Sequence, residues 1–362
     1  MASRMKIAII VGTRPQIIKS APIIQEALKS GLELEIIHTG QHYDYELSQA
    51  FIKEFNLPEP VTNLEVGSGS HAYQTGEIML RLEKYLLKDR FSLALIPGDT
   101  NSALAGALTC VKLGIPVAHV EAGARCYDMG MAEEVNRRLI DHCSKLLFAP
   151  TLNCKRNLEK ESVLGEIYLT GDTMYDVFLR FKEKVDECDI IDRLELSDKE
   201  YNLLTLHRAE NVDRVERLRS ILNGIVNSNV KTVFPIHPRT KRRLREFGIS
   251  LENTNVKVIE SVGYVEMLKL LKHAKTVLTD SGGLQKEAFW SKTPCITLRD
   301  RTEWVETIDI GVNFLVGADT ERITQTINLI EKRYDSIIRK FVGNPFGDGY
   351  ASRKIVEIIR SL

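Results

Sequence analysis

The sequence has no excess of either charge: across 362 residues Lys and Arg number 49, Asp and Glu number 49, and the formal net charge is zero. A balanced chain carries no electrostatic footprint for nucleic acid or an anionic membrane, so neither is expected as a partner. A local basic pocket for a small anion stays compatible with that balance. Long apolar runs are missing too. None approaches the roughly 18 residues a membrane-spanning helix needs. The six cysteines, Cys110, Cys126, Cys143, Cys154, Cys188 and Cys295, form no C-x-x-C pair and no zinc spacing. Buried free thiols in a reducing compartment are the expectation. The opening run MKIAIIV stops at Gly12-Thr13-Arg14-Pro15, so it reads as a first strand rather than a signal peptide, and the cytoplasm is the expected location. Two nucleotide fingerprints are also lacking: no G-x-G-x-x-G follows the first strand, and no G-x-x-x-x-G-K-[ST] occurs. His38 and His42 are separated by Gly40 in a strand-exit loop and lack helical H-x-x-x-H geometry. No metal and no cofactor is expected.

What is present is alternation. MKIAIIV, LELEIIH, FSLALIP, PVAHVEA, KLLFAP and EIYLTG read as strands, with helical segments such as Gln16–Ser30, Ser70–Lys88 and Asn101–Leu113 between them. A second series follows in YNLLTLH, KTVFPIH, VKVIE, KTVLTD, PCITLR and GVNFLVG. Strands apolar on both faces and alternating with helices predict parallel sheets covered on both sides. The expected fold is α/β, with two doubly wound, Rossmann-like domains facing a cleft. The charged stretch Phe181 to Tyr201 reads as solvated and marks the junction. Residues 1–172 are assigned to the first domain, 173–345 to the second, and 346–362 to an amphipathic helix returning to the first.

Ligands of open α/β sheets bind beyond the carboxyl ends of the strands, and here those ends are polar. They carry Gly12-Thr13-Arg14-Pro15, Gly98-Asp99-Thr100, Glu121-Ala122-Gly123, His207-Arg208, His237-Pro238-Arg239, Asp280-Ser281-Gly282-Gly283 and Arg299-Asp300. Each has a structural explanation on its own. Pro15 suits a first helical turn, Asp99, Thr100 and Asp280 are candidate N-caps, and Glu133 and Glu134 favour the start of a helix. Caps alone do not call for Arg, His and Glu together at one edge. In TDSGGLQKEAFW, Gly282 and Gly283 would permit positive φ and close approach of a ligand, and the following helix offers unpaired N–H groups to an anion. The same turn is equally explained as strand-to-helix topology. Glu287 lies one turn in, too deep to cap.

Taken in order, GTRPQIIK, GQH, GDTNSALAGAL, HVEAGAR, EEVNRRLIDH, FAPT, GDT, HRAEN, TDSGGLQKEA and NPFGDG resemble the non-hydrolysing UDP-N-acetylglucosamine 2-epimerase family along the whole chain. The resemblance implies a GT-B-like fold, a UDP-sugar as substrate, no cofactor, and a homodimer with Ser70–Lys88 as a candidate interface. It implies inversion at sugar carbon 2 by elimination of UDP to a 2-acetamidoglucal and its re-addition. Carried over by position, it implies that Asp99, Glu121 and Glu133 are the catalytic carboxylates and His207 a catalytic or phosphate-contacting histidine. Arg14, Ser281, Gly282 and Gly283 become pyrophosphate contacts and Glu287 the ribose contact. His237 and Lys19 join the substrate-binding set. Lys19, Gln41, His42 and Gln74 resemble positions around a second, activating UDP-sugar site.

Three departures stand out. Ala132 replaces the usual proline before the two glutamates, the loop CYDMGMA is short, and Trp304 replaces the arginine of T-E-R-P-E. The last leaves a UDP-2,3-diacetamido sugar, or its uronic acid, as an alternative substrate, with Arg299 or Arg301 as candidate replacements for the lost charge. A glycosyltransferase using a UDP-sugar donor, a hydrolysing epimerase and a nucleotide-sugar sensor are the competing readings.

Overall fold

The computed structural model describes residues 5–41, 52 and 55–362. The chain divides into two compact units, Met1–Leu179 with Pro345–Leu362, and Arg180–Asn344.

Among the described residues of unit 1 are seven parallel strands, all but β3 formed by the apolar runs: β1 (Lys6–Val11), β2 (Glu33–His38), β3 (Thr62–Asn63), β4 (Leu93–Pro97), β5 (Val117–Val120), β6 (Leu146–Ala149) and β7 (Glu166–Leu169). Their order is β3-β2-β1-β4-β5-β6-β7. Strands β1, β4, β5 and β6 are buried almost throughout, because helices cover both faces of the sheet. On one face Ile10, Ile37, Ala94 and Ile96 pack with Ile78 and Leu82 of the helix His71–Leu86 and with Ala103 and Ala107 of the helix Asn101–Lys112. The strand β3 has two residues, too few for a periodicity to announce it, and it has no counterpart in the sequence reading.

Unit 2 repeats the plan with six parallel strands: β8 (Asn202–Thr205), β9 (Thr232–Pro235), β10 (Val256–Ile259), β11 (Thr276–Thr279), β12 (Cys295–Thr297) and β13 (Asn313–Leu315). Their order is β10-β9-β8-β11-β12-β13. In each unit the winding reverses beside the first strand, between β1 and β4 and between β8 and β11. Such a reversal splays the loops on either side apart and leaves a crevice at the carboxyl ends.

The charged stretch Phe181 to Tyr201 is not merely solvated. It forms the helices Lys182–Glu187 and Ile190–Arg193 and buries Phe181, Val185, Ile190, Ile191 and Leu196. Both helices pack on the helix Tyr264–His273, and the Phe181 ring meets Tyr264 edge-on at 5.2 Å. Its charges face outward while a sparse apolar stripe anchors it, a pattern that composition alone conceals.

The last helix, Ala351–Arg360, packs on the helix Arg14–Lys29. Its entry is held by a buried carboxylate. Asp176 accepts from Ala351 N (3.1 Å), Ser352 N (2.8 Å) and the Ser352 hydroxyl (2.6 Å). Asp172 N donates to the Phe346 carbonyl at 2.8 Å, closing the same junction. Removing the carboxylate strands three donors. Asp176→Ala should therefore cost about 2–3 kcal/mol in urea unfolding, while Asp172→Ala, which keeps its backbone N–H, should cost less.

Candidate active site

The crevice of unit 1 is built from the loops after β1, β4 and β5. Gln16 links the first two: its Oε1 accepts from Gly12 N at 2.9 Å and its Nε2 donates to the Pro97 carbonyl at 2.8 Å. One turn further along the same helix, the Lys19 ammonium pairs with the Glu121 carboxylate. Asp99 sits beside them. It accepts from Arg137 Nη1 at 3.0 Å, and Asn136 Nδ2 donates to its backbone carbonyl at 2.8 Å. Burial raises the Asp99 carboxyl above its ordinary range; Glu121 and Glu133 push the same way, while Arg137 and Lys19 oppose them. A raised carboxyl beside a second carboxylate is the kind of group that serves in proton transfer. Thr100, not Asp99, caps the helix Asn101–Lys112, accepting from Ala103 N at 3.2 Å. The Asp99 side chain is thereby left out of the cap.

Glu121 has a left-handed backbone, φ 73°. For a residue with a Cβ this is strained by roughly 1–2 kcal/mol. The surrounding bonds impose it. Gly98 N donates to the Val120 carbonyl at 3.0 Å, Ala122 N to Phe148 at 3.1 Å, and Gly123 N to Asp141 Oδ2 at 3.1 Å. Gly123 itself (φ 81°) lies so close to the Cys154 carbonyl that a Cβ would overlap it.

The two glutamates opening the helix Ala132–Cys143 have different fates. Glu134 is fully buried and accepts from Cys126 N (3.0 Å), Tyr127 N (3.3 Å) and Arg137 Nη2 (3.0 Å). It shapes the short loop between Arg125 and the helix. Glu133 is exposed, within electrostatic reach of Asp99. Arg14 opens its helix on the exposed side of the crevice. Gln41 and Gln74 are buried in a network of their own: Gln41 Oε1 accepts from Ser102 N (3.0 Å) and its hydroxyl (2.6 Å), and Gln74 Nε2 donates to the Gln41 carbonyl (3.1 Å). His42 lies outside the described residues.

In unit 2 the crevice lies between the loops after β8 and β11. Asp280 is completely buried and does not cap a helix. It accepts from His207 N, Arg208 N at 3.0 Å and Asn211 Nδ2, so it ties the two loops together. Ser281 is the cap, accepting from Leu284 N at 3.3 Å. The His207 ring is half-exposed, with Nδ1 3.2 Å from Asp280 Oδ1. The His237 ring lies 5.9 Å from it, and its Nδ1 accepts from Arg239 N at 3.1 Å, capping the helix Pro238–Glu246.

Gly282 and Gly283 do not use the positive φ that glycine permits; they begin the helix Gly282–Trp290. A Cβ on Gly282 would meet nothing nearer than Trp304 Nε1 at 3.6 Å, and one on Gly283 nothing nearer than the Ser281 hydroxyl at 3.9 Å. Neither the backbone nor the packing of unit 2 requires glycine here. What they provide is bare backbone over a helix N-terminus, suited to close approach of an anion. Glu287 is buried on the next turn.

Trp304 is buried beside Gly282, and the Lys286 ammonium stands 4.1 Å from its ring centre. Arg299 is buried and doubly bonded to Glu303, at 2.8 and 3.1 Å. Its charge is therefore matched within unit 2. The Lys286–Trp304 stack and the buried Asp141 were not singled out from the sequence. Asp141 had a legible sign: Glu134, Arg137 and Asp141 share one helical face, so a charged stripe occupies the buried side.

Among known proteins, the family model described as UDP-N-acetylglucosamine 2-epimerase matches residues 26–360. The chain is 47% identical to a UDP-N-acetylglucosamine 2-epimerase homolog of Methanococcus maripaludis, over 99% of this chain and 100% of that protein. It is 40% identical to the UDP-2,3-diacetamido-2,3-dideoxy-D-glucuronate 2-epimerase of Pseudomonas aeruginosa, over 99% and 100% of the two chains. It matches the crystal structure of Methanocaldococcus jannaschii UDP-GlcNAc 2-epimerase in complex with UDP-GlcNAc and UDP at a TM-score of 0.90 and 44% identity, over 99% and 100% of the two chains. The α/β, GT-B-like pair of Rossmann-like units is thereby shared with solved epimerases.

The His237 cap gives a pH signature. Burial lowers the affinity of this ring for a proton, and the neighbouring His207 and Arg239 lower it further, against a smaller opposing pull from Asp280. The neutral form is the one that can accept from Arg239 N. Its contribution to stability is present above the ordinary value of 6.5 and is lost as pH falls through the lower folded value. NMR titration should place the His237 midpoint below 6.5. A midpoint above it would show the ring is not held neutral by its surroundings.

Proposed function

The chain belongs to the UDP-N-acetylglucosamine 2-epimerase family, and from that membership we propose that it interconverts UDP-N-acetylglucosamine and UDP-N-acetylmannosamine. The hydrogen on sugar carbon 2 is not adjacent to a carbonyl, so enolate chemistry is closed to it. Elimination avoids the difficulty. A base takes the carbon 2 proton, the carbon 1–oxygen bond breaks, its electrons leave with UDP, and the former C–H pair forms the double bond of 2-acetamidoglucal. Re-addition returns UDP to carbon 1 while a proton arrives at the other face of carbon 2.

Such a reaction needs paired proton-transfer groups and a means of retaining an anionic leaving group. The observation that carries the proposal is the gathering of Asp99, Glu121 and Lys19 at the crevice of unit 1, with the Asp99 carboxyl raised. Asp99 and Glu121 are assigned the proton transfers, with Glu133 contributing negative charge or a proton at the rim. The bare N-terminus at Ser281, Gly282 and Gly283 is assigned the pyrophosphate, together with His207, His237 and Arg14. Glu287 is assigned the ribose hydroxyls. Gln41, His42 and Gln74 are retained as an activating site, to which the first and last contribute as scaffold.

Proton NMR in deuterated water tests the reaction. UDP-N-acetylglucosamine should gain deuterium at carbon 2 and yield the manno epimer. Asp99→Asn and Glu121→Gln should each slow this by about 100-fold or more, consistent with loss of general acid–base catalysis. A near-normal rate in either removes that residue from the proton path. Exchange only with a UDP-2,3-diacetamido sugar or its uronic acid would move the substrate to that class.

A homodimer forms part of the same reading. The helix His71–Leu86 and its cap expose Tyr73 (51%), Leu80 (57%) and Leu87 (70%), spaced seven apart along one face. Light scattering should give twice the chain mass, and Leu80→Asp should shift it toward the monomer. A wild-type monomer at micromolar concentration would end this reading.

A further inference from the structure

We infer that His119 and Asp141, neither of which is assigned a role in the reaction, form a positioning couple that sets the Asp99 and Glu121 carboxylates relative to one another. The inference rests on the reading of those two carboxylates as the proton-transfer groups. Both partners are completely buried. His119 Nε2 lies 2.9 Å from the Gly98 carbonyl, the residue before Asp99. A carbonyl can only accept, so this nitrogen carries a proton. His119 Nδ1 lies 2.6 Å from Asp141 Oδ1.

Asp141 is held ionised. Burial works against that, but His119 and Arg125 outweigh it and hold the carboxyl below its usual range. Its second oxygen accepts from Gly123 N at 3.1 Å and pairs with Arg125 Nη2 at 2.7 Å. Arg125 is itself fixed by a two-pronged bond to Glu161, at 3.0 and 2.8 Å. With the Asp141 carboxylate on one side and the Gly98 carbonyl on the other, the ring bridges the helix Ala132–Cys143 to the loop that precedes Asp99.

The geometry assigns one carboxylate two tasks. Through His119 it holds the loop that carries Asp99. Through Gly123 N it holds the turn in which Glu121 is left-handed. Without that anchor the turn keeps the Ala122 N–Phe148 and Asn157–Gly123 carbonyl bonds but loses its tie through Asp141 to the loop before Asp99, so the Glu121 carboxylate is held less firmly relative to Asp99. Neither residue is proposed to touch substrate. Their effect passes through Asp99 and Glu121.

The test compares His119→Gln, Asp141→Asn and the double variant for epimerisation of UDP-N-acetylglucosamine, using protein whose folding is verified by circular dichroism. Each single change should lower kcat by about 10–100-fold, the scale expected for ångström-level misplacement of a reacting group, with KM changed far less. The primary isotope effect with carbon 2-deuterated substrate should rise, because proton transfer becomes the slower step. A purely structural role would not move that ratio. The double variant should be no slower than the slower single, since both changes break one linkage. A folded Asp141→Asn with wild-type kcat and isotope effect would overturn the inference. Nitrogen NMR of histidine-labelled wild-type protein provides a test that needs no variant: the His119 nitrogen that faces the Gly98 carbonyl, Nε2, should carry a proton. An unprotonated nitrogen there would overturn it as well. The spectrum is recorded without substrate, so it stands apart from the function reading, which fails separately if wild-type protein incorporates no deuterium.

Discussion

A carboxylate removed from water must be answered by donors on every side, and in each unit one such carboxylate organises the site. Asp141 in unit 1 and Asp280 in unit 2 are both fully buried. Each takes backbone N–H groups from a loop leaving the sheet, Gly123 for the first, His207 and Arg208 for the second. A lone buried charge would cost several kcal/mol, and satisfying it fixes the loops that supply the donors. The return is geometric definition rather than net stability. In unit 1 the buried carboxylate fixes the loops of Asp99 and Glu121, and in unit 2 it fixes the loop of His207.

Those anchors act where the sheet topology leaves room for a ligand. In both units the strand order reverses beside the first strand, and the loops at that reversal carry Gly12 to Arg14 and Gly98 to Thr100, or His207 to Arg208 and Asp280 to Gly283. The two crevices are specialised in opposite senses. One concentrates carboxylates around a lysine and an arginine. The other offers bare helix N–H groups, a histidine pair and a buried tryptophan. A reaction that moves a proton while holding an anion draws on both kinds of chemistry.

Much of this was legible in the sequence. Apolar runs at regular intervals mark the twelve longer strands, most plainly the central ones, since a strand buried on both faces has to be apolar throughout. The polar residues just beyond those runs mark the candidate site for the same reason. What escaped is mostly three-dimensional. Asp280 looks like a helix cap when read locally; its carboxylate turns instead to the neighbouring loop, and Ser281 caps. Gly282 and Gly283 permit a left-handed turn, and in the structure they are ordinary helical residues whose missing side chains matter more than their φ. Glu133 and Glu134 are indistinguishable in sequence, and only the helix phase separates an exposed residue from a buried one. Phe181 to Tyr201 reads as solvent-exposed because its anchoring residues are outnumbered by charges. The Trp304 substitution is visible at once, but its burial against Lys286 is not.

The course of the chain has a consequence for how the molecule is made. Unit 2 is an insertion: the polypeptide leaves unit 1 at Leu179 and returns at Pro345. Synthesis runs from the amino end, so every residue of unit 2 leaves the ribosome before the helix Ala351–Arg360 that closes unit 1. Until then Asp176 waits without the Ala351 and Ser352 donors it needs, and the face of the helix Arg14–Lys29 that this last helix covers stays open. The order of assembly is thus opposite to the order of the code: the unit begun first is the one finished last.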